Sequence, residues 1–396
     1  MKILWFPRYQ PDIEKFTPNW REMYKALTSM GHTIQIALAG RPAPGIFDHP
    51  YIHVRIFRVK YLRILSFWIA GFIKFLFTYF SFRPDVVILD IFTFWFGIVP
   101  FLFPGIKRCK IILDNRTPFY NSTSDELTLR DLLFRAYTRA AYFFCLLING
   151  GITTITLHYR DSLSRAFRIS PQRIGVWGSG VDNERFDPAL YEKNEHSFPW
   201  KGKFVIIQHG QISYNRGIFE SIKAISLANN DKIALVIIGS SINDAEIDAE
   251  LNELIYNLDL CESVYRIPTV PHEAIPRYIS SANCAIMAYP NIEYWNNNNP
   301  LKLVEYLAMG KVVICTDMWT FRDVCGTSKC AVYIKDNEPK TIAEAISWCY
   351  KHRNNLNEYG REGIDIIKGR FTWKRQAENL LTFIQDLKDK NESITN

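Results

Sequence analysis

The amino-acid sequence predicts an α/β fold made of two doubly wound parallel-sheet domains. The chain has 396 residues, more than one ordinary hydrophobic core accommodates, so two domains are expected. Apolar strand-like segments alternate with amphipathic helical segments in both halves, which is typical of parallel sheets covered by helices. A content of 48% hydrophobic and 22% charged residues indicates a folded globular chain and excludes a disordered one.

The first half of the chain contains several predicted strands and one clear helix. The strands cover residues 2–6, 33–38, 85–90 and 110–114, and the helix covers 18–30. Ligands of doubly wound sheets bind beyond the carboxyl ends of the strands. In this half we expect those ends at residues 6–10, 90–92 and 114–118.

The second half begins after the polar stretch 191–203 and repeats the alternation. Predicted strands cover 204–208, 234–238, 264–267, 284–288 and 311–315, and predicted helices cover 217–229, 243–258 and 372–388. We therefore expect an N-terminal domain at 1–190, a C-terminal domain at 191–372 and a terminal helical segment at 373–396.

Cysteine usage and the start of the chain indicate a reducing compartment. The eight cysteines are scattered, and none has a metal-ligand spacing to Cys or His partners. The first residues predict a short strand and lack the apolar core and cleavage site of a secretory signal. We expect a cytoplasmic protein. No Asp-x-Asp site stands in a suitable loop, so no metal or other cofactor is expected.

Two aromatic segments of the first half lie beside basic residues, within a chain of net charge +7. Arg55, Arg58, Lys60 and Arg63 precede the run 67–77, and the run 92–103 ends near Lys107, Arg108 and Lys110. Neither run predicts a clean membrane span, because the first is short and holds Lys74 and the second is broken by Gly97 and Pro100. Such segments suit an anionic membrane surface, so we predict peripheral contact through 55–83 and 92–110. The alternative is that both runs are buried helices.

The segment 299–314 predicts a binding site for a phosphate and a sugar. It reads as a tight loop, an amphipathic helix and a buried strand, and the start of such a helix offers backbone N–H groups to an anion. Lys302 lies in the first turn, and Glu305 lies one turn further on the same face, where it can accept hydrogen bonds from sugar hydroxyls. This combination is the chemistry that binds a nucleotide-sugar. The residues assigned here are Asn299, Pro300, Leu301, Lys302 and Glu305.

A second loop, residues 210–217, lies between a predicted strand and a predicted helix. Gly210 at its start and a second glycine at its end let the loop fold closely around an anion. Arg216 can bind a diphosphate through two hydrogen bonds. Gln211 follows the first glycine, and Gly239 closes the next strand; both are assigned to the same site.

These segments resemble the family-4 retaining glycosyltransferases. Residues 299–314 are similar to that family's Pro-x-Lys-x-x-Glu-Tyr-x-Ala-x-Gly signature, and residues 210–217 resemble its phosphate loop. Gly180 and Val181 stand in a segment similar to one that enters the family's interdomain linker. The resemblance implies the GT-B fold, in which two doubly wound domains face each other across a cleft and the chain's end crosses back onto the first domain. It covers most of the second domain and less of the first.

The resemblance also implies roles for individual residues. Arg216 matches the family's basic residue before the closing glycine, whereas Gln211 stands where the family often has an arginine. Arg266 and Ile267 match the position that receives the base through backbone groups. Asn297 stands at the first of the family's two glutamate positions, so this chain has no carboxylate there.

Asparagine cannot act as a base or a nucleophile, although its amide can hydrogen-bond sugar hydroxyls. In the front-face mechanism proposed for the family, the leaving diphosphate takes the acceptor's proton. Arg216, Lys302 and the helix N-terminus would then stabilise the developing charge. The catalytic candidates are Arg216, Lys302, Asp114 and Asn297.

The first domain offers fewer candidate residues. Asp114 and Arg116 follow a strand, in the region where relatives place a His or Asp near the reacting sugar. The alternative for this pair is an aspartate that caps a turn beside a surface arginine. His209, which follows the strand 204–208 of the second domain, is expected to touch the cleft.

The predicted function is retaining hexosyl transfer from a UDP- or GDP-linked sugar to a glycan or lipid-linked acceptor. We expect it at the inner face of the membrane, without a metal and without nucleic acid. A sugar-nucleotide epimerase or hydrolase of the same fold is one alternative. A catalytically dead, membrane-bound partner that only binds nucleotide is the other.

Overall fold

The chain divides into two compact units, Met1–Gly178 with Trp373–Asn396, and Ser179–Thr372. The computed structural model describes residues 1–8, 18–40, 50–57, 59–102, 109–116, 128–191, 198–241 and 245–395. Several predicted positions lie outside the described residues: 9–10, 117–118, 192–197, 243–244, Arg58, Lys107 and Arg108. Each unit contains a parallel sheet with helices, so the predicted α/β class with two such domains is confirmed.

The first unit is built on a parallel sheet of order β3-β2-β1-β4-β5-β6-β7. Its strands are β1 (Lys2–Phe6), β2 (Thr33–Ala39), β3 (Ile52–Val54), β4 (Val86–Leu89), β5 (Lys110–Asp114), β6 (Gly151–Thr154) and β7 (Ile174–Val176). Its helices before the second unit are α1 (Pro18–Ser29), α2 (Lys60–Phe82), α3 (Phe94–Ile98), α4 (Leu129–Leu147) and α5 (Leu157–Phe167).

The second unit has a six-stranded parallel sheet of order β10-β9-β8-β11-β12-β13, which repeats the order of the first six strands of the first unit. Its strands are β8 (Phe204–His209), β9 (Ile233–Ile238), β10 (Val264–Ile267), β11 (Cys284–Met287), β12 (Val312–Thr316) and β13 (Ala331–Ile334). Its helices are α6 (Ile218–Ala228), α7 (Ala245–Asn257), α8 (Ile275–Ser280), α9 (Glu293–Asn297), α10 (Leu301–Ala308), α11 (Trp319–Cys325), α12 (Pro339–Lys351) and α13 (Leu356–Arg370). The last helix, α14 (Trp373–Thr395), belongs to the first unit.

Alternating side chains of the strands build a separate core on each face of the first sheet. Leu4 and Phe6 of β1 point into the core that α2, α3 and α4 cover, whereas Ile3 and Trp5 point into the core that α1 and α14 cover. This period of two, buried on both sides, is what a doubly wound parallel sheet requires.

Helix α2 (Lys60–Phe82) is longer than the aromatic run 67–77 from which the sequence predicted it. It has 23 residues. The stretch Leu62–Phe82 is long and apolar enough to cross a membrane by length and composition, and only 28% of its most apolar window is buried. Phe67, Phe75 and Tyr79 are buried in the core on the sheet, and Trp68 and Phe72 pack against it partly buried, while the outer face of the helix is exposed. The predicted alternative of a buried helix therefore holds for one face only.

Candidate functional site

The candidate site lies at the carboxyl ends of the central strands of the second sheet. The order of this sheet reverses between β8 and β11, since β9 continues on one side of β8 and β11 on the other. Ligands of open α/β sheets bind at such a reversal, beyond the carboxyl ends of the strands. Here β8 ends at His209 and Gly210 follows it, while β11 is followed by Ala288 and Tyr289.

The side chains of the two predicted phosphate-binding cations, Arg216 and Lys302, both lie beside Gly210. A Cβ atom placed on Gly210 would lie 3.1 Å from Cε of Lys302 and 3.9 Å from Nη1 of Arg216. Gly210 has φ of 125°, a conformation that favours glycine. The loop closes at Gly217, where an added Cβ would lie 1.9 Å from the carbonyl oxygen of Ala288. The loop is therefore packed against β11, and this packing brings Arg216 over the end of the sheet.

Arg216 is fixed by aromatic rings and by its own backbone. Its guanidinium carbon lies 5.1 Å from the ring centre of Trp295 and 5.9 Å from that of Tyr289. Gln208 donates a hydrogen bond of 2.9 Å to the Arg216 carbonyl, and the Trp295 indole donates one of 2.9 Å to the Asn215 carbonyl. Within the described part of the chain no carboxylate pairs with Arg216, so its charge is available to an anion.

Lys302 and Glu305 lie on one face of α10, as the sequence predicts. Nζ of Lys302 is 3.7 Å from Oε2 of Glu305. Glu305 is 1% exposed, and its two carboxylate oxygens accept hydrogen bonds from His209 at 2.8 Å and from His272 at 2.7 Å. Burial raises the pKa of Glu305, but Lys302 and the two histidine donors outweigh it and hold the pKa well below the usual range. The carboxylate is therefore a buried anion beneath Lys302.

The hydrogen-bond geometry assigns both histidines as neutral rings with the proton on Nε2. Tyr306 accepts from the backbone N–H of His209 and lies 2.8 Å from its Nδ1, so the tyrosine hydroxyl donates to Nδ1. Nδ1 of His272 faces Nη1 of Arg185 at 3.2 Å, and a guanidinium can only donate. In both rings Nε2–H is then the donor to Glu305. Burial lowers the pKa of His209 to about 4, because its effect is larger than the opposing effect of the Glu305 carboxylate.

The sequence did not predict this histidine pair. His209 was expected only to touch the cleft, and His272 was not named. No periodicity links His272, in a single 3₁₀ turn after β10, to Glu305 on α10. Each carboxylate oxygen of Glu305 already accepts a hydrogen bond from a histidine. A sugar hydroxyl could therefore use only the acceptor capacity that remains on these oxygens.

The loop before α10 is less open to an anion than the sequence predicts. The Leu301 N–H donates to the Asn299 carbonyl at 3.0 Å, and the Pro300 carbonyl accepts from Leu303 at 2.9 Å. The first N–H group of the helix is therefore already used. Asn297, at the end of α9, is 2% exposed.

The predicted residues around β9 and β10 lie at the neighbouring strand ends. Gly239 donates its N–H to the Ile267 carbonyl at 2.9 Å, and a Cβ on Gly239 would lie 1.9 Å from the Gly210 carbonyl oxygen. Gln211 follows Gly210 and is partly exposed. Gly210, Gly239 and Ile267 are thus brought together at one edge of the sheet.

The Arg266 side chain is held away from a direct ligand role. Its guanidinium pairs with the Asp248 carboxylate and donates to the Asn252 side chain at 2.8 Å. These contacts fasten α7 to the edge strand β10. Only the backbone of Arg266 remains for the predicted contact with a base.

Asp114 belongs to the first unit, where it ends β5. It is 3% exposed and accepts a hydrogen bond of 2.8 Å from Thr153. Burial raises the pKa of Asp114 to about 6, although Arg116 opposes the rise. Arg116 stacks on Trp177 with 3.6 Å between the guanidinium carbon and the ring centre. Asp114 is therefore a buried, titratable acid rather than a surface cap.

No group of three or more His, Cys, Asp and Glu side chains within the described ranges could hold a metal ion. The His209, Glu305 and His272 cluster does not suit one, because both ring N–H groups point at the carboxylate.

A family model matches most of the second unit. Residues 191–366 match the family model for glycosyl transferases group 1. No curated protein sequence matches the chain.

Solved structures extend the likeness over the whole chain. A glycosyltransferase from Rickettsia africae is 15% identical, with 98% of each chain covered and a TM-score of 0.74. Sucrose-phosphate synthase from Thermosynechococcus elongatus is 14% identical over 98% of this chain and 100% of that one, with a TM-score of 0.76. Anabaena HepE in complex with UDP is 13% identical over 99% of this chain and 100% of that one, with a TM-score of 0.72. The chain thus has the GT-B fold of these structures, and residues 191–366 of its second unit match the glycosyl transferases group 1 model.

Proposed function

We propose that this protein is a retaining glycosyltransferase of the family-4 type that transfers a hexose from a nucleoside diphosphate sugar to a glycan or lipid-linked acceptor. The observation that carries the proposal is the convergence of Arg216 and Lys302 on Gly210 at the reversal of the second sheet. Two cations beside a glycine, whose backbone can approach a ligand closely, are suited to a diphosphate. The group 1 match over the same unit supports the assignment.

UDP is the nucleotide that we favour. HepE, which shares this fold, has been solved in complex with UDP. GDP is the alternative. The backbone beyond the end of β10 is the part that would meet the base, since the Arg266 side chain is engaged by α7.

We propose that transfer follows the front-face route. The bond between the anomeric carbon and the diphosphate oxygen breaks, and the acceptor oxygen bonds to that carbon from the same side. The acceptor's proton passes to the leaving diphosphate. Arg216 and Lys302 stabilise the negative charge that the diphosphate gains, which is the role of fixed cations in phosphate-leaving reactions. The position of Asn297 offers no carboxylate nucleophile, and this favours the route.

His209 and His272 contribute to the site by stabilising the negative charge of Glu305. Their N–H groups keep Glu305 ionised although it is buried, and the ionised carboxylate draws Lys302 toward the Gly210 loop. With two cations for the diphosphate, we propose that no metal ion is required.

Product analysis with a panel of UDP- and GDP-sugars tests the function. The protein is incubated with each sugar nucleotide and a bacterial membrane lipid extract as a source of acceptor. We expect a new glycosylated product with one donor, whose anomeric configuration by NMR matches that of the donor. Inversion would contradict retention. An epimerised or hydrolysed donor would favour the epimerase or hydrolase alternative, and nucleotide binding without any product would favour the catalytically dead partner.

We also propose that the enzyme works at the cytoplasmic face of a membrane. The exposed apolar face of α2 supports this location.

A further inference from the structure

The outer face of α2 is an exposed apolar stripe. Its members recur at steps of three or four residues and therefore share one face of the helix. They are Leu62, Leu65, Ile69, Ile73, Phe77 and Phe80, with exposed fractions between 46% and 70%. A soluble surface rarely carries so many large apolar side chains in one row.

Helix α4, which the sequence did not single out, carries a second stripe of the same kind. Leu129, Leu133, Phe143 and Leu147 are 61% to 72% exposed, and Ala136 is exposed between them. Their spacing also follows one helix face.

The two helices belong to one layer of the first unit, joined by α3. Trp68 of α2 contacts Phe96 of α3 at 5.2 Å between ring centres, and Trp95 of α3 contacts Phe144 of α4 at 5.8 Å. All three helices cover the same core. The two stripes therefore lie on the same side of the first sheet.

The charges beside this surface favour an anionic lipid bilayer as its occupant. The stretch Leu62–Phe82 contains Arg63 and Lys74 and no Asp or Glu. Helix α4 contains arginines at 130, 135 and 139 and a single acid, Asp131, which forms a capping box with Thr128. A second copy of the chain would place cations against cations, which disfavours self-association. Anionic headgroups complement them.

A further cation stands at the carboxyl end of β1, at the reversal of the first sheet. Asp90 fixes Arg8 by accepting its backbone N–H at 2.6 Å. The Arg8 guanidinium stacks on Phe92, 3.8 Å from the ring centre. In the described part of the chain no carboxylate pairs with that guanidinium. Phe92 contacts Phe134 of α4 at 6.1 Å, so an aromatic row leads from Arg8 to α4.

We propose that the first unit docks on an anionic bilayer through the apolar stripes of α2 and α4, and that Arg8 binds the phosphate of a lipid acceptor presented there. The inference rests on the proposed function and names its acceptor class, an amphiphile with a phosphate headgroup. The stripes bury their side chains among the lipid chains, and the basic residues meet the headgroups. Helix α2 lies on the membrane rather than through it, because its other face is packed on the sheet.

Vesicle flotation of the full chain tests the docking. The vesicles contain phosphatidylcholine alone or an equimolar mixture with phosphatidylglycerol, at low salt. Wild type floats with the anionic vesicles, and Ile73→Glu with Phe77→Glu lowers the membrane partition coefficient by about tenfold or more. The matched control, Leu227→Glu with Tyr256→Glu, changes exposed apolar residues of the second unit and leaves flotation unchanged.

UDP binding is measured for the same proteins, so that the two proposals fail separately. Wild type that binds UDP but ignores anionic vesicles would overturn the docking and leave the proposed function standing. Flotation without UDP binding would overturn the proposed function alone. Equal flotation of the stripe variant and wild type would also overturn the docking surface.

The Arg8 contact is tested with dihexanoyl phosphatidic acid as a soluble probe, beside inorganic phosphate. Arg8→Gln binds phosphatidic acid about tenfold more weakly than wild type, because a charge-assisted contact is lost, and its UDP affinity is unchanged. Wild type binds inorganic phosphate more weakly than phosphatidic acid. Equal affinity for the two probes would overturn the lipid assignment, and an unchanged affinity in Arg8→Gln would overturn the role of Arg8.

Discussion

The burial of neutral His209 predicts that the protein loses stability as the pH falls through the weakly acidic range. The ring is 2% exposed as a side chain and donates to Glu305, and burial lowers its pKa from 6.5 to about 4. Between these values the unfolded chain binds a proton that the folded chain does not bind. The contribution of His209 to the free energy of unfolding is therefore greatest above pH 6.5 and decreases as the pH falls below it.

The size of the effect follows from the two pKa values. Each pH unit inside this window changes the free energy of unfolding by about 1.4 kcal/mol for one group. From pH 6.5 to about pH 5, His209 should remove about 2 kcal/mol. The Glu305 contribution to stability is lost only below the ordinary glutamate pKa of 4.5. A loss of stability between pH 6.5 and about pH 5 therefore reports on His209.

Replacement of His209 by glutamine removes the titrating group and keeps an N–H donor toward Glu305. The assay is urea unfolding of the full chain, followed by tryptophan fluorescence between pH 6.5 and about pH 5. The difference in the free energy of unfolding between wild type and His209→Gln should shrink by about 2 kcal/mol over this range. The pKa of Asp114 is raised to about 6, so its titration makes the protein more stable as the pH falls. This contribution is the same in wild type and in His209→Gln, and it cancels in the difference between them.

His352→Gln, at the surface end of α12, serves as the matched control and should keep the pH dependence of wild type. Parallel pH profiles for wild type and His209→Gln would refute the assignment of His209 as a buried neutral ring. So would a wild-type advantage that grows on acidification.

Two further predictions concern the glycine loop and the metal. Gly217→Ala should destabilise the fold by about 1–3 kcal/mol or more, because its Cβ would lie 1.9 Å from the Ala288 carbonyl oxygen at φ of 66°. Gly202→Ala is the control: Gly202 has φ of 85°, but a Cβ there would meet no atom within 4 Å, so this variant measures the backbone strain alone. Equal urea midpoints for the two variants would contradict the packing of the loop on β11. Sugar transfer should persist in EDTA, measured by product formation, and a loss that Mn²⁺ restores would contradict the metal-free proposal.

Much of the fold could be predicted from the sequence, because the strands are buried on both faces and read as short apolar runs. The predicted strand 110–114 coincides with β5, and 264–267 coincides with β10. The full extent of α2 was missed because its exposed face is as apolar as its buried face, so no polar stripe marks where the helix begins. Helix α4 was also missed, although Thr128 and Asp131 form a capping box that marks its start in the sequence.

The site was predictable where its chemistry lies within one local segment. Lys302 and Glu305 are three residues apart on one helix, and Arg216 precedes a glycine at a strand–helix junction, so local rules place them. The convergence of Arg216 and Lys302 on Gly210, and the histidine pair on Glu305, depend on contacts between distant parts of the chain. His209 and Glu305 are 96 residues apart, and no local pattern reports such a contact.

Calorimetric titration with UDP tests the central claim, that Arg216 and Lys302 of the second unit form the diphosphate site. Loss of one charge-assisted contact costs about 1.5–3 kcal/mol, so Arg216→Ala and Lys302→Ala should each weaken UDP binding about tenfold or more. Lys335→Ala, which removes an exposed lysine of the same unit, should bind as wild type does. Wild-type affinity in both Arg216→Ala and Lys302→Ala would contradict the account.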